Sequence, residues 1–188
     1  MRRAASMGMT TPTTPVAIDP ADLAGVFDRY ARDLLRYCTR RVGEQVAEDV
    51  VAETFLVAYE RRDRYDASRG EVLPWLYGIA TNLLRRHRRT EIRALRALAH
   101  ADGGARAAEG PAQRATDRVD AERAVGRLSA VLAKLPRRQR DVLMLFAVAE
   151  LEYAEIAEAL QIPLGSVQSA LHRARAKVRA ALAEGDAR

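Results

Sequence analysis

The sequence predicts an all-α protein of two small helical domains joined by a flexible linker, and three observations carry that reading. Apolar residues recur at intervals of three and four along most of the chain. No stretch of strand length alternates apolar with polar residues. Between the periodic segments, Ala101-Asp-Gly-Gly-Ala-Arg-Ala-Ala-Glu-Gly-Pro111 contains no large apolar residue and therefore nothing a core could bury.

Each element has its own local reason. Residues 1–19 carry Thr, Pro and Ser where a signal peptide needs an apolar segment, so they read as a disordered tail, with Met1, Met7 and Met9 all admissible starts. Asp19-Pro20 has the form of a helix cap followed by a first-turn proline. Leu23, Val26, Phe27, Tyr30, Leu34, Tyr37 and Cys38 then define the inward face of a first helix, and Gly43 stops it. A second helix spans about 45–62, with Ala47, Val50, Thr54, Phe55, Ala58 and Tyr59 on one face. The turn-rich stretch Arg64 to Gly70 precedes a third helix that opens near Glu71, turns Leu73, Leu76, Ile79, Ala80, Leu83 and Leu84 inward, and ends in an arginine-rich segment reaching Arg96. These make a three-helix domain over 20–96, followed by a linker over 97–116.

The second domain is expected over 117–184. Val125, Leu128, Val131, Leu132 and Leu135 lie on one face of its first helix, which Pro136 closes. An apolar helix runs from Arg137 to Ala149. A short helix from Tyr153 to Leu160, the turn Gln161-Ile162-Pro163 and a longer helix with Val167, Leu171, Ala174 and Val178 inward complete a helix-turn-helix pattern.

Composition narrows the function. The 188 residues suit one domain or two small ones, and a 48% hydrophobic share with only 5% aromatics calls for an aliphatic, alanine-rich core. Against 25 acidic residues stand 31 basic ones, a net charge of +6, which fits a partner made of phosphates. Cys38 is the only cysteine, excluding an intrachain disulfide and a cysteine-based metal site and suiting a cytoplasmic protein. The longest purely apolar run, Val142 to Ala149, is far short of a bilayer span, so membrane insertion is not expected.

Three constellations could carry chemistry. On the last helix, Ser166, Ser169, Arg173 and Ala176 lie opposite Leu171, with Gln168, Ala170 and His172 flanking them. Arg173, Arg175, Lys177 and Arg179 face no acid between Gly165 and Ala183. Small outward residues let such a helix approach the major groove, and Arg173 can reach a guanine edge or a phosphate. The second constellation, Arg85 to Arg96, holds six arginines and one glutamate, just after Trp75, Tyr77, Thr81 and Asn82 and not far from Tyr65. Aromatic rings beside cations suit single-stranded DNA, where bases stack and phosphates pair. The third has the opposite sign: Glu48, Asp49 and Glu53 project carboxylates from the second helix, fit for a basic protein surface or simply for water. Catalysis finds no support, since His87, His100 and His172 lack metal-ligand spacing and no phosphate-binding glycine loop occurs. Neither a cofactor nor a metal is expected, and the chain reads as a non-enzyme.

The order of these elements resembles a bacterial sigma-70 family sigma factor, specifically the compact extracytoplasmic-function group that has only regions 2 and 4. Ala47-Glu-Asp-Val-Val-Ala-Glu-Thr-Phe-Leu56 and Trp75-Leu-Tyr-Gly-Ile-Ala-Thr-Asn82 are similar to segments of region 2. Leu135-Pro-Arg-Arg-Gln-Arg-Asp-Val-Leu143, Tyr153 to Leu160 and Gly165 to Arg175 are similar to region 4. The resemblance implies that Glu48, Asp49 and Glu53 bind core RNA polymerase. It implies that Tyr65, Asp66 and Ser68 in the loop, with Trp75, Tyr77, Asn82, Arg85 and Arg86, engage the −10 element of promoter DNA. Ser166, Gln168, Ser169, His172, Arg173 and Lys177 would engage the −35 element. An anti-sigma factor is an admissible further partner. Two departures stand out: Ala52 where the family often has glutamine, and Gln168 and Ala170 where it often has basic residues. A stand-alone helix-turn-helix regulator is the alternative. It would explain the C-terminal half equally well, but leaves Trp75–Asn82 and the arginine cluster without a role. A small nuclease would need a carboxylate cluster for magnesium that the sequence lacks.

Overall fold

A computed structural model of the chain describes residues 23–66, 71–101 and 125–186. The expected tail, the Asp19-Pro20 helix start, Ser68 and most of the expected linker lie outside them. Helix α1 (Leu23–Val42) and helix α2 (Glu44–Glu60) are joined by one residue, Gly43. Its φ of +85° is a conformation that L side chains rarely adopt, so the expected stop is also the hinge that folds α2 back onto α1. A single 3-10 turn at Arg62–Arg64 follows. Helix α3 (Val72–Leu84) is buried along most of its length, and helix α4 (Arg88–Ala101) lies against α1.

The N-terminal unit therefore has four helices where the sequence predicted three. Arg86 and His87 donate backbone bonds to Leu83 and Leu84 at 2.9 and 3.0 Å, which tightens the end of α3 into a turn before the chain restarts as α4. The reason for the break lies on α4: Glu91 is 2% exposed and accepts from Arg41 Nε at 2.8 Å, a contact that anchors α4 to α1. Helix α4 then runs past the expected boundary at Arg96 to Ala101. Leu34, Tyr37, Ala47, Val50, Leu76 and Leu84 form the centre of this unit's core.

The C-terminal unit begins with α5, helical over 125–134, followed by α6 (Arg137–Ala147), α7 (Tyr153–Leu160) and α8 (Leu164–Asp186). Pro136 caps α6. The Glu155 carboxylate accepts the Glu152 backbone N–H at 2.6 Å, fixing the start of α7. Gln161, left-handed at φ 52°, ends α7, and Ile162-Pro163 lead into α8, as the turn residues predicted. Val142, Leu145, Ile156, Val167 and Leu171 close this core. Among the described residues there is no strand.

The two units meet along one seam, where α7 packs across α3. A β-carbon at Gly78 would run into the backbone carbonyl of Ala159, so glycine in mid-helix, unfavourable by about 0.5–1 kcal/mol against alanine, is required by the crossing. Beside it lies a buried ionic cluster. Arg41 Nη2 donates to Asp141 Oδ1 at 2.6 Å and Arg41 Nη1 to the Tyr37 hydroxyl at 2.7 Å, while the Tyr37 and Thr81 hydroxyls bond at 2.9 Å. Arg140 Nε stands 3.4 Å from Glu91. Arg41, Arg140, Glu91 and Asp141 are all buried. Removing one partner from such a pair typically costs about 3–5 kcal/mol, because a buried charge is left uncompensated.

Candidate nucleic-acid interface

Helix α2 presents its acidic residues outward, as expected: Glu48 and Asp49 are exposed, and Glu53 accepts from Arg86 Nη1 at 2.9 Å. Tyr59, expected in the core, is 45% exposed, and the Arg62 guanidinium sits 4.4 Å from its ring centroid. Val51 fills the core in its place. Leu56 is 58% exposed beside the carboxylates. The acidic face thus also carries two large, exposed apolar side chains. The sequence signal for Leu56 is its absence from the inward set of α2.

The second surface gathers residues from the loop and from α3. Tyr65 and Trp75 are half-buried, with ring centroids 5.2 Å apart and planes at 43°. They border a cleft of about 760 Å³ that Arg61, Arg64, Asp66 and Asn82 also line. Burial, then the Glu158 carboxylate, raises the Tyr65 phenol above its usual range. Asn82 is exposed about two turns further along α3, its Oδ1 accepting from Arg85 Nη1 at 2.5 Å. Arg86 is turned toward α2 by Glu53. Tyr77, expected on this surface, is buried at 1% exposure with its ring edge-on to Tyr37 at 5.1 Å. Two residues along a helix from Trp75, it faces the core, and it does not present a ring to a strand.

The third surface is α8. Arg173, Gln168, His172 and Lys177 are exposed, and Ser166 and Ser169 half-exposed. Ser169 Oγ donates to the Ser166 carbonyl at 3.2 Å and lies 3.3 Å from Arg173 Nη2, a short ladder that holds the guanidinium over the N-terminal half of the helix. Lys177 Nζ donates to Gln139 at 3.1 Å. Arg175 is spent on packing, its guanidinium 4.4 Å from the Phe146 ring centroid. Ala170, expected at the flank of the outward face, is fully buried in the stripe of Val167, Leu171 and Ala174. Alanine gave no apolar signal strong enough to place it there. Among the described residues, no group of three His, Cys, Asp or Glu side chains is placed to hold a metal ion.

Chemically, the first surface is suited to a protein, and the second to an unstacked base beside a phosphate backbone. The third suits a major groove: a polar helix with one central cation and small neighbours. Two family models match separate stretches of the chain. The family model described as Sigma-70 region 2 matches residues 26–102, and that described as Sigma-70, region 4 matches 126–178. The chain is 33% identical over 171 residues to the ECF RNA polymerase sigma factor SigW of Bacillus subtilis, covering 86% of this chain and 89% of that one. It is 30% identical to the ECF RNA polymerase sigma factor SigL of Mycobacterium tuberculosis, covering 89% and 93%. Among solved structures, that of CnrH in complex with the cytosolic domain of CnrY shares the fold with a TM-score of 0.60 at 23% identity, over 88% of this chain and 90% of that one. The sigma factor RpoE in complex with the anti-sigma factor NepR from Bartonella quintana gives 0.57 at 22%, over 86% and 96%.

Proposed function

The chain belongs to the extracytoplasmic-function group of the sigma-70 family of RNA polymerase sigma factors, and from that premise we propose how its surfaces divide the work of initiation. Helix α2 is the polymerase contact: Glu48, Asp49 and Glu53 steer the encounter with a basic surface, and Leu56 and Tyr59 supply apolar burial. The −10 strand is taken by the second surface. Asn82 offers an amide whose donor and acceptor match an adenine edge, and Arg85 and Arg86 pair with phosphates. Tyr65 and Trp75 receive an unstacked base, which offsets part of the cost of opening the duplex. Asp66, which lines the cleft, stands beside that base; Ser68 lies outside the described residues. Tyr77 supports the surface from within. Helix α8 enters the major groove at −35, with Arg173 at its centre and Ser166, Gln168, Ser169, His172 and Lys177 around it.

The chain itself makes and breaks no bond in this reading; nucleotide addition belongs to the polymerase. Its place is the cytoplasm, where polymerase and promoter meet, and no helix among the described residues is long and apolar enough to cross a membrane. An anti-sigma factor remains an expected partner of the family. The observation that carries the proposal is the pairing, in one chain, of an aromatic and cationic surface on α3 with a polar recognition helix on α8. A stand-alone regulator needs only the second. Co-purification with core RNA polymerase tests it, because a repressor has no need to bind that enzyme.

A further inference from the structure

We infer that the seam between the two units holds a binding site for a small oligophosphate, a ligand with at least two adjacent phosphate groups. A pocket of about 520 Å³ opens there, lined by Arg85, Arg137, Arg138, Asp141, Leu160 and Ile162. Its volume falls in the range of small-molecule sites. Arg85 follows α3, whereas Arg137 and Arg138 open α6, so guanidinium groups from both units line one space. Guanidinium is the side-chain group best matched to phosphate, through paired N–H donors in a planar fork.

Three cations around one pocket repel each other unless negative charge offsets them. The pocket's own carboxylate does so only in part. Asp141 is fully buried, with Oδ1 taken by Arg41 at 2.6 Å and Oδ2 standing 3.4 Å from Arg85 Nε. Both of its oxygens are thus spent, and neither pairs with Arg137 or Arg138. Those two side chains are exposed and form no ion pair among the described residues. Arg85 is held by Asp141 through Nε and by Asn82 through Nη1, which orients its guanidinium and leaves Nη2 for a ligand. Setting Asp141 against Arg85 leaves Arg137 and Arg138 uncompensated. A pyrophosphate group supplies the missing charge on two neighbouring centres, which one carboxylate or one phosphate does not. Leu160 and Ile162 make part of the wall apolar, which suits an organic body attached to the phosphates.

Calorimetric titration of the full chain with pyrophosphate at fixed ionic strength tests the site, with inorganic phosphate as the single-phosphate comparison and circular dichroism as the folding control. One pyrophosphate per chain is expected, bound more tightly than phosphate. Arg85→Gln, Arg137→Gln and Arg138→Gln should each weaken it about tenfold, the loss of one charge-assisted contact. Arg93→Gln and Arg179→Gln remove the same charge from exposed positions outside the pocket, and should leave pyrophosphate affinity unchanged. The absence of saturable binding overturns the site. Equal weakening by the pocket variants and the two outside variants also overturns it, since net charge alone would then draw the ligand. A third contrary result is Arg137→Gln and Arg138→Gln weakening a −35 duplex while pyrophosphate affinity holds, which would make both residues DNA anchors. None of these outcomes bears on Asn82, so the −10 assignment stands or falls separately.

Discussion

Arg86 of the segment following α3 and Glu53 of α2 form an ion pair at 2.9 Å, tying the middle of α2 to the end of α3. Both side chains keep substantial exposure, 72% and 39%, so the pair is weak by itself and easily exchanged for a phosphate or a protein charge. It also means that Glu53 cannot be probed in isolation: reversing its charge would repel Arg86 as well as any basic partner.

Asp49 is the cleaner probe of the proposed polymerase contact. Asp49→Lys is expected to weaken binding to core enzyme with helicity unchanged, because the side chain is exposed. The loss should grow at low ionic strength, as steering between exposed charges does. Titration of labelled chain with core polymerase at two salt concentrations measures it, and equal affinity with wild type would remove Asp49 from the interface.

Asn82→Ala and Arg86→Ala should fail in different ways. The first is expected to relax preference at one −10 position by about 1–3 kcal/mol, the usual range for a good base contact. The second should weaken all promoters alike and reduce the salt slope by about one. Competition among −10 variants in the holoenzyme, at several salt concentrations, separates the two. If both substitutions change sequence preference alike, the division into reading and anchoring is wrong.

Helix α8 supplies two opposed expectations. Arg173→Ala should cost about 1–3 kcal/mol of −35 discrimination, since Arg173 stands exposed at the centre of the polar face. Ala170→Arg, which outward-face counting would suggest as a gain in affinity, should instead destabilise the C-terminal unit by about 3 kcal/mol or more. The position is fully buried and would take in an unpaired guanidinium. Thermal melting and binding across a randomised −35 library check both.

Cys38 should be inert. Burial pushes its thiol up to about 12, with Arg41 working against that shift, so thiolate is scarce at neutral pH. Thiol reagents at about pH 8 are expected to leave the native chain unlabelled while the denatured chain reacts fully. The linkage sign follows from the same values: the unfolded thiol titrates near 9.0 and the folded one near 12, so the native state binds more protons in between and stability falls as pH rises through that window. Tyr37, raised from 10.0 to about 12 chiefly by burial, acts in the same direction. Denaturant midpoints near pH 8 and pH 10.5 should differ accordingly, and rising stability with pH would contradict the buried placement of both groups.

These residues also show where sequence reasoning reaches. The stop at Gly43, the turn at Gln161–Pro163 and the outward placement of Arg173 follow from local rules, since periodicity and turn chemistry act over a few residues. Arg41, Arg140, Glu91 and Asp141 were not legible, because a charged residue reads as surface until a partner elsewhere in the chain makes its burial tolerable. Here the partners lie 50 and 100 residues from Arg41. Tyr77 and Trp75 illustrate a finer limit. Both flank the apolar stripe of α3, and only the packing of α1 decides which ring turns inward. The same dependence placed Tyr59 outside and Ala170 inside.

The central claim is that this chain gives promoter choice to a polymerase. Run-off transcription with purified core enzyme, with and without the chain, on a template library varied at −10 and −35 tests it most directly. Discrete transcripts that require the chain, with the preferred −10 changed by Asn82→Ala and the preferred −35 changed by Arg173→Ala, are the expected result. Tight, sequence-specific duplex binding by the chain alone, with no transcript dependent on it, would contradict the account.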